Sequence, residues 1–242
     1  MNTLHNFFFN VYPYICLSVF LMGSLARFDR DQYTWKSDSS QLLRKGQLRW
    51  GSNLFHVGIL FLFFGHAVGL LTPHFFYEGF MDASVKQRLA IYAGGTAGVI
   101  CFVGLSLLLH RRIFDPRIRL TSHKTDLFIL IILWVQLVLG LITLPYSYSH
   151  ADGSAMLVLA EWAQRIVTFR PDAAGLVTMD WPYKVHLVLG MTIFLLFPFS
   201  RLVHVWSGFG TLAYFFRPYQ VVRSRKLGLK GNQPDPNRRV PN

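Results

Sequence analysis

The sequence predicts an all-α integral membrane protein: five transmembrane helices in a bundle, with the N-terminus outside and the C-terminus in the cytoplasm. Three observations predict it. Of 242 residues 52% are hydrophobic and only 15% are charged, against about 25% charged in a soluble domain. The apolar residues gather in five long blocks, not in short periodic faces, and a bilayer crossing needs about 20 of them in a row. The 24 Lys and Arg lie between those blocks, with the exception of Arg201 and of Lys184 at the edge of the fifth.

The first block covers residues 4–26. It lacks the basic start and small-residue cleavage site of a removable signal peptide, so it reads as a retained helix in which Pro13 makes a kink or ends an initial turn. The mixed-charge stretch 27–50 leads to the second block, 51–71; no Asp, Glu, Lys or Arg occurs from Trp50 through Tyr77. The third block, 89–110, contains Gly94, Gly95, Gly98 and Gly104, small residues that let membrane helices approach closely. Pro116 breaks any helix in the basic loop after it. The fourth block, 127–144, ends at Pro145. The middle of the next connection, MLVLAEWAQRIVTF, is amphipathic, as a helix lying on the membrane surface would be. The fifth block is 183–207, kinked at Pro198. Residues 1–216 then form the membrane domain, and 217–242 a basic cytoplasmic tail that reads as disordered at its end.

Charge sets the orientation. Segments 27–50, 111–124 and the tail carry six, five and seven Lys or Arg, against five on the opposite side. The positive-inside rule puts the 18 in the cytoplasm. The net charge of +12 follows from this distribution. It points to lipid or an acidic partner and away from nucleic acid. Cys16 and Cys101 sit far apart inside apolar blocks, and no C-x-x-C-H run occurs. Covalent haem attachment and a bound iron–sulfur cluster are therefore excluded.

Histidines carry the chemistry. His56 and His66 lie ten residues apart in the second block, a rise of about 15 Å. His186 and His204 lie eighteen apart in the fifth, five helical turns and hence one face. The two helices are antiparallel, so depth pairs His56 with His204 toward the cytoplasm and His66 with His186 toward the exterior. Polar side chains in hydrocarbon are expensive and usually functional. Paired neutral imidazoles are the axial ligands of a six-coordinate haem, so the pattern is that of a cytochrome b holding two non-covalent haems b. The second helix separates its ligands by about 15 Å and the fifth by about 27 Å; tilt, the Pro198 kink and inclined haem planes have to absorb the difference. Arg201, three residues before His204, is an intramembrane cation expected to pair with an anion, and a haem propionate is the candidate. His5, His74, His110, His123 and His150 fall near block ends or in loops and read as interfacial residues; of these His74 is the first alternative ligand. The rival reading is a haem-free anchor or transporter, its histidines acting as helix glue or a proton relay.

The blocks FFFNVYPYI, RFDRDQYTW, SNLFHVGIL, GHAVGLLTPH, VKQR, AGGTAGV and HLVLGMTIFLLFPFSRLVHVWS resemble the gamma subunit of membrane-bound respiratory nitrate reductase. The resemblance covers residues 4–207 and departs in the tail after Arg217. It implies five helices in the bacterial inner membrane and two haems b on His56, His66, His186 and His204. It also implies quinol oxidation near the outer haem, with electrons passing to an iron–sulfur beta subunit and then to a molybdenum alpha subunit that reduces nitrate. In the family a lysine shortly after the second helix supports quinol binding, which maps onto Lys86; Gly65, beside His66, would let the head group come close. The same kind of di-haem anchor could serve formate dehydrogenase or hydrogenase instead.

Overall fold

The structure, a computed structural model, describes residues 2–31, 45–150 and 152–207. The expected tail 217–242 lies outside them, as does most of the 27–50 connection. Met1–His204 form one compact unit. Its elements, among the described residues, are all helical. Five of its helices are long and apolar enough to cross a membrane: Thr3–Arg30, Gly46–Leu71, Ala83–Phe114, Lys124–Ser149 and Trp181–Phe199.

The first crossing is α1 (Thr3–Asn6), a π turn (Phe7–Val11) and α2 (Tyr12–Arg30) in one run. Pro13 causes the π turn. It has no N–H for the carbonyl of Phe9, and its ring would crowd that carbonyl. The helix takes in an extra residue per turn instead, and the Tyr12 N–H bonds to Phe7 O. The freed Phe9 carbonyl is taken by the buried indole of Trp162, whose Nε1 donates to it at 2.9 Å.

The other helices are α3 (Lys45–Leu71), α4 (Ala83–Phe114), α5 (Pro116–Thr121), α6 (Lys124–Ser149), α7 (Ser154–Val167) and α8 (Trp181–Leu196). Of these, α3, α4 and α6 are longer than their apolar blocks. Polar and charged residues at the block ends continue the helices beyond the hydrocarbon. Pro116 starts a helix: it occupies the first turn of α5, and the Asp115 carboxylate accepts from the N–H groups of Arg117 and Ile118 at 3.0 and 3.4 Å. Pro145 does not end the fourth crossing, because α6 passes through it to Ser149.

The helices pack in a row: α3 on α4, α4 on α6, α6 on α8 and α8 on α2. Glycines on α4 set the spacing, but they serve two neighbours. A Cβ at Gly104 would lie 2.9 Å from Gly51 O on α3, and one at Gly98 would lie 2.8 Å from Leu141 on α6. Gly58 of α3 lies equally tight on Cys101. Gly94 meets neither helix. The buried Gln87 ties α4 to the end of α6 and the start of α7, donating to Ser147 O at 2.7 Å and accepting from Met156 N at 3.1 Å. The amphipathic segment forms α7 as its pattern predicts. Its apolar face packs on protein, where Trp162, Ala163 and Ile166 join Phe9, Ala173 and Leu176 in one buried cluster.

The fifth crossing is the main departure from expectation. It is not one kinked helix over 183–207. The α-helix stops at Leu196, and the 3-10 turns Phe197–Phe199 and Arg201–Val203 follow, separated by Ser200 in extended conformation (φ −121°, ψ 176°). Pro198 has no N–H for the carbonyl of Phe194, so the α-helical ladder ends there although Phe197 itself stays helical (φ −54°, ψ −53°). Broken backbone at membrane depth is tolerated only where its polar groups are satisfied again. Arg27 of α2 does this, Nη1 donating to Pro198 O at 2.7 Å and to Ser200 O at 2.9 Å. Ser200 Oγ accepts from Leu202 N at 3.2 Å.

Candidate functional site

Helix α3, at one end of the row, faces α8 across paired histidines. The rings of His56 and His204 are 6.4 Å apart between centroids and inclined by 71°. Those of His66 and His186 are 6.3 Å apart and inclined by 39°. The pairing read from depth is the pairing observed. The unequal spacing is absorbed by the break. From His186 to the end of α8 at Leu196 is ten residues, the same interval as from His56 to His66, and hence about 15 Å of rise on each helix. The segment 197–204, wound as short turns, brings His204 level with His56 without a further eight-residue helical advance along the axis.

Each of the four rings is oriented by its own hydrogen bond. Nδ1 donates to a backbone carbonyl in every case: His56 to Ser52 O at 2.7 Å, His66 to Leu62 O at 2.7 Å, His204 to Arg201 O at 2.6 Å and His186 to Gln136 O at 3.1 Å. With Nδ1 donating, Nε2 keeps the lone pair, the state a metal ligand requires, held by the outer bond that metal-binding histidines characteristically make.

The pair spacing also fits a metal. A metal–imidazole bond is about 2 Å, and about 1 Å more separates each nitrogen from its ring centre, so two imidazoles on opposite sides of one ion have centres about 6 Å apart. Both pairs meet that value. Among the described residues no group of three or more His, Cys, Asp or Glu stands together. A pair of histidines can thus hold only a metal that brings its remaining donors with it, as the iron of a porphyrin does.

Near the His56–His204 pair lies an ionic cluster that the sequence did not reveal. Asp126, in the first turn of α6, is nearly buried, and its Oδ2 lies 3.4 Å from Nη1 of both Arg112 and Arg201. Arg201 does pair with an anion, but the anion seen here is a side chain of the protein itself. Two guanidinium groups share this one carboxylate. In the sequence Asp126 falls at the end of the basic loop before the fourth block, and its contact with Arg201 joins residues 75 apart.

At the other end of the bundle, Lys86 lies in the first turn of α4. Its Nζ is buried without a hydrogen-bond partner and stands 3.9 Å over the centroid of the buried Tyr77 ring. Burial pushes the Tyr77 hydroxyl above its ordinary pKa, so it stays neutral under the cation. His74 also meets the Tyr77 ring, edge-on at 5.0 Å, and is hydrogen-bonded through Nδ1 to Glu78 at 2.9 Å. His74 is therefore engaged with Glu78 and is no partner for another histidine. Gly65 lines a shallow apolar groove along α3 with Val57, Leu60, Phe61, Phe64 and Val68, and a Cβ there would meet nothing within 4 Å. His5 bonds Ala173 O at 2.9 Å, His110 contacts Gln47 and His150 bonds Tyr146 O.

The nitrate reductase gamma subunit family matches residues 5–225 of the chain. The chain belongs to that family. Among gamma-chain relatives, the respiratory nitrate reductase 1 gamma chain of Escherichia coli is 50% identical over 226 residues, covering 93% of this chain and all of the relative. The respiratory nitrate reductase 2 gamma chain of the same organism is 50% identical over 225 residues, 92% of this chain and 98% of the relative. The nitrate reductase gamma chain of Bacillus subtilis is 37% identical over 216 residues, 89% of this chain and 96% of the relative. Five apolar helices and this membership make the gamma-family chain a multi-pass protein of the bacterial inner membrane.

Proposed function

We propose that this chain is the membrane anchor and quinol-oxidising subunit of a respiratory nitrate reductase, holding two haems b between α3 and α8. The observation that carries the reading is the pair geometry: two histidine pairs at 6.3 and 6.4 Å between ring centres, with all four Nδ1 atoms already bonded to carbonyls. When bound, the haems supply one-electron carriers at two depths, between a quinol and the iron–sulfur and molybdenum subunits of the complex. His66 and His186 hold the carrier nearer the quinol, and His56 and His204 the one nearer the cytoplasmic partners. Arg201 and Arg112 keep positive charge beside the inner pair, where an anionic propionate would be held.

Lys86 is the residue we assign to the quinol. A buried ammonium held over a ring face, with no anion beside it among the described residues, has its donors available for a quinol oxygen. It favours the deprotonated oxygen over the protonated one, and so favours release of the proton. Gly65, next to His66, leaves the groove on α3 open for the head group to approach.

The test is a reduced-minus-oxidised optical spectrum of the purified subunit, with haem counted per chain by pyridine haemochrome. Two b-type haems per chain are expected. Folded protein assembled in a haem-replete host but free of haem would overturn the reading.

A further inference from the structure

One of the four paired histidines is held differently from the rest. His56, His66 and His204 each bond a carbonyl one turn back on their own segment. His186 bonds Gln136 O on α6, a different helix, at 3.1 Å. A histidine bonded within its own helix is oriented by local backbone alone. One bonded across helices takes its orientation from the packing partner.

Two glycines make the cross-helix bond possible. Gly140 lies one turn after Gln136 on α6, and a Cβ there would sit 3.0 Å from Cε1 of His186 and 3.6 Å from its Nδ1. The imidazole edge therefore rests on the bare backbone of Gly140, and a side chain at that position would push it away. In the reverse direction, the Gln136 amide donates from Nε2 to the carbonyl of His186 at 3.0 Å and passes 3.4 Å from its Nε2. Gly190, one turn after His186, gives that amide its room, since a Cβ there would lie 3.1 Å from Gln136 Nε2. Each helix thus offers a polar residue followed four places later by glycine, and each polar residue lies over the other's turn. Gln136 Oε1 is buried without a hydrogen-bond partner, an arrangement that costs about 1–3 kcal/mol and that packing alone does not call for.

We propose that Gln136 and Gly140 are positioning residues for His186: they fix the plane of this axial imidazole, and with it the 39° inclination to His66, a role that rests on the two-haem function proposed above. The other pair, inclined by 71°, has no such seat among the described residues. Partners that orient a metal ligand typically change metal affinity about 10- to 100-fold when removed. Gln136 and Gly140 act on one pair alone.

The experiment is electron paramagnetic resonance of the oxidised, membrane-embedded protein, which resolves low-spin ferric haems by the relative orientation of their axial imidazoles, together with a haem count per chain. In Gly140→Ala one of the two low-spin signals is expected to shift or disappear while the other keeps its position, which also reports that the bundle is folded. Gln136→Leu keeps the backbone acceptor and loses the amide, so a smaller shift of the same signal is expected with both haems retained. Gly190→Ala displaces the Gln136 amide without touching the ring and should reproduce the Gln136→Leu spectrum. Two haems with unchanged signals in Gly140→Ala would overturn the inference and leave the two-haem function standing. Equal shifts of both signals in all three variants would also overturn it. A wild-type protein without haem signals would sink the two-haem function and this role together.

Discussion

Removing the guanidinium of Arg27 is expected to release one histidine pair and spare the other. Arg27→Met keeps the length of the side chain and loses the bonds to Pro198 O (2.7 Å) and Ser200 O (2.9 Å). Hydrogen bonds from a charged group are each worth about 1.5–3 kcal/mol, so two of them amount to about 3–6 kcal/mol, and the partial exposure of this region favours the lower end. The loss falls on the segment that bends from Leu196 back to His204. At about 1.4 kcal/mol per tenfold change, 3 kcal/mol lowers the occupancy of the seated segment relative to the released one by roughly a hundredfold. His66 and His186 lie on intact helix and should not notice. The assay is the haem count by pyridine haemochrome, with limited proteolysis of the 197–203 turns as a second readout. One haem per chain and new cleavage near Pro198 are expected, and Arg27→Lys, which keeps the charge on a shorter side chain without the planar guanidinium, should fall between. Two haems per chain with an unchanged digest in Arg27→Met would refute the reasoning.

Other outcomes follow from the same geometry. His66→Ala and His186→Ala should each leave one haem per chain and abolish quinol-driven nitrate reduction in the assembled complex, while His204→Ala should leave the other haem, reducible by quinol but unable to pass electrons on. Retention of two haems in any of these would break the ligand assignment. Lys86→Ala should keep both haems and slow quinol turnover. Tyr77→Leu removes a ring–cation contact of about 0.5–2 kcal/mol, so a rise in the quinol KM of about 2- to 30-fold is expected, with Tyr77→Phe close to wild type; equal effects of Leu and Phe would point to the hydroxyl instead. Trp162→Phe leaves the Phe9 carbonyl buried and unpaired, for a stability loss of about 1–3 kcal/mol, read as a lower Tm in detergent with the haem content unchanged.

Much of this arrangement was legible in the sequence because hydrocarbon imposes simple rules. The five apolar blocks locate the five crossings, since a spanning segment must be long and nearly uncharged. The histidine pairing was legible for the same reason: antiparallel helices of known rise convert position in sequence into depth. Depth was all that could be read. The eighteen-residue interval from His186 to His204 looks like five clean helical turns, and only the break after Leu196 reconciles it with the ten residues between His56 and His66. Pro198 marked a kink, but a single proline does not announce two 3-10 turns and an extended Ser200, because their stability comes from Arg27 on another helix. Asp126 and Gln136 were missed on similar grounds. Each is an isolated polar residue in or beside a block, and its meaning lies in the residue it meets across the bundle. Prolines misled in both directions: Pro145 passes inside a helix and Pro116 begins one, as flanking residues and caps decide.

The bond from Trp162 to the carbonyl of Phe9 also sets an order of events during synthesis. Its two ends are 153 residues apart, and at about 5–20 residues per second the ribosome delivers the indole roughly 8–30 s after the first helix has emerged. Through that interval the π turn above Pro13 carries an acceptor that the helix cannot satisfy and that hydrocarbon would penalise. The N-terminal turn is therefore best held at the water-facing boundary until α7 arrives. The first crossing to be made is among the last to be finished, and a nascent chain halted before residue 162 would carry a first helix that is shallower, and more accessible to aqueous labelling near Phe9, than the completed protein.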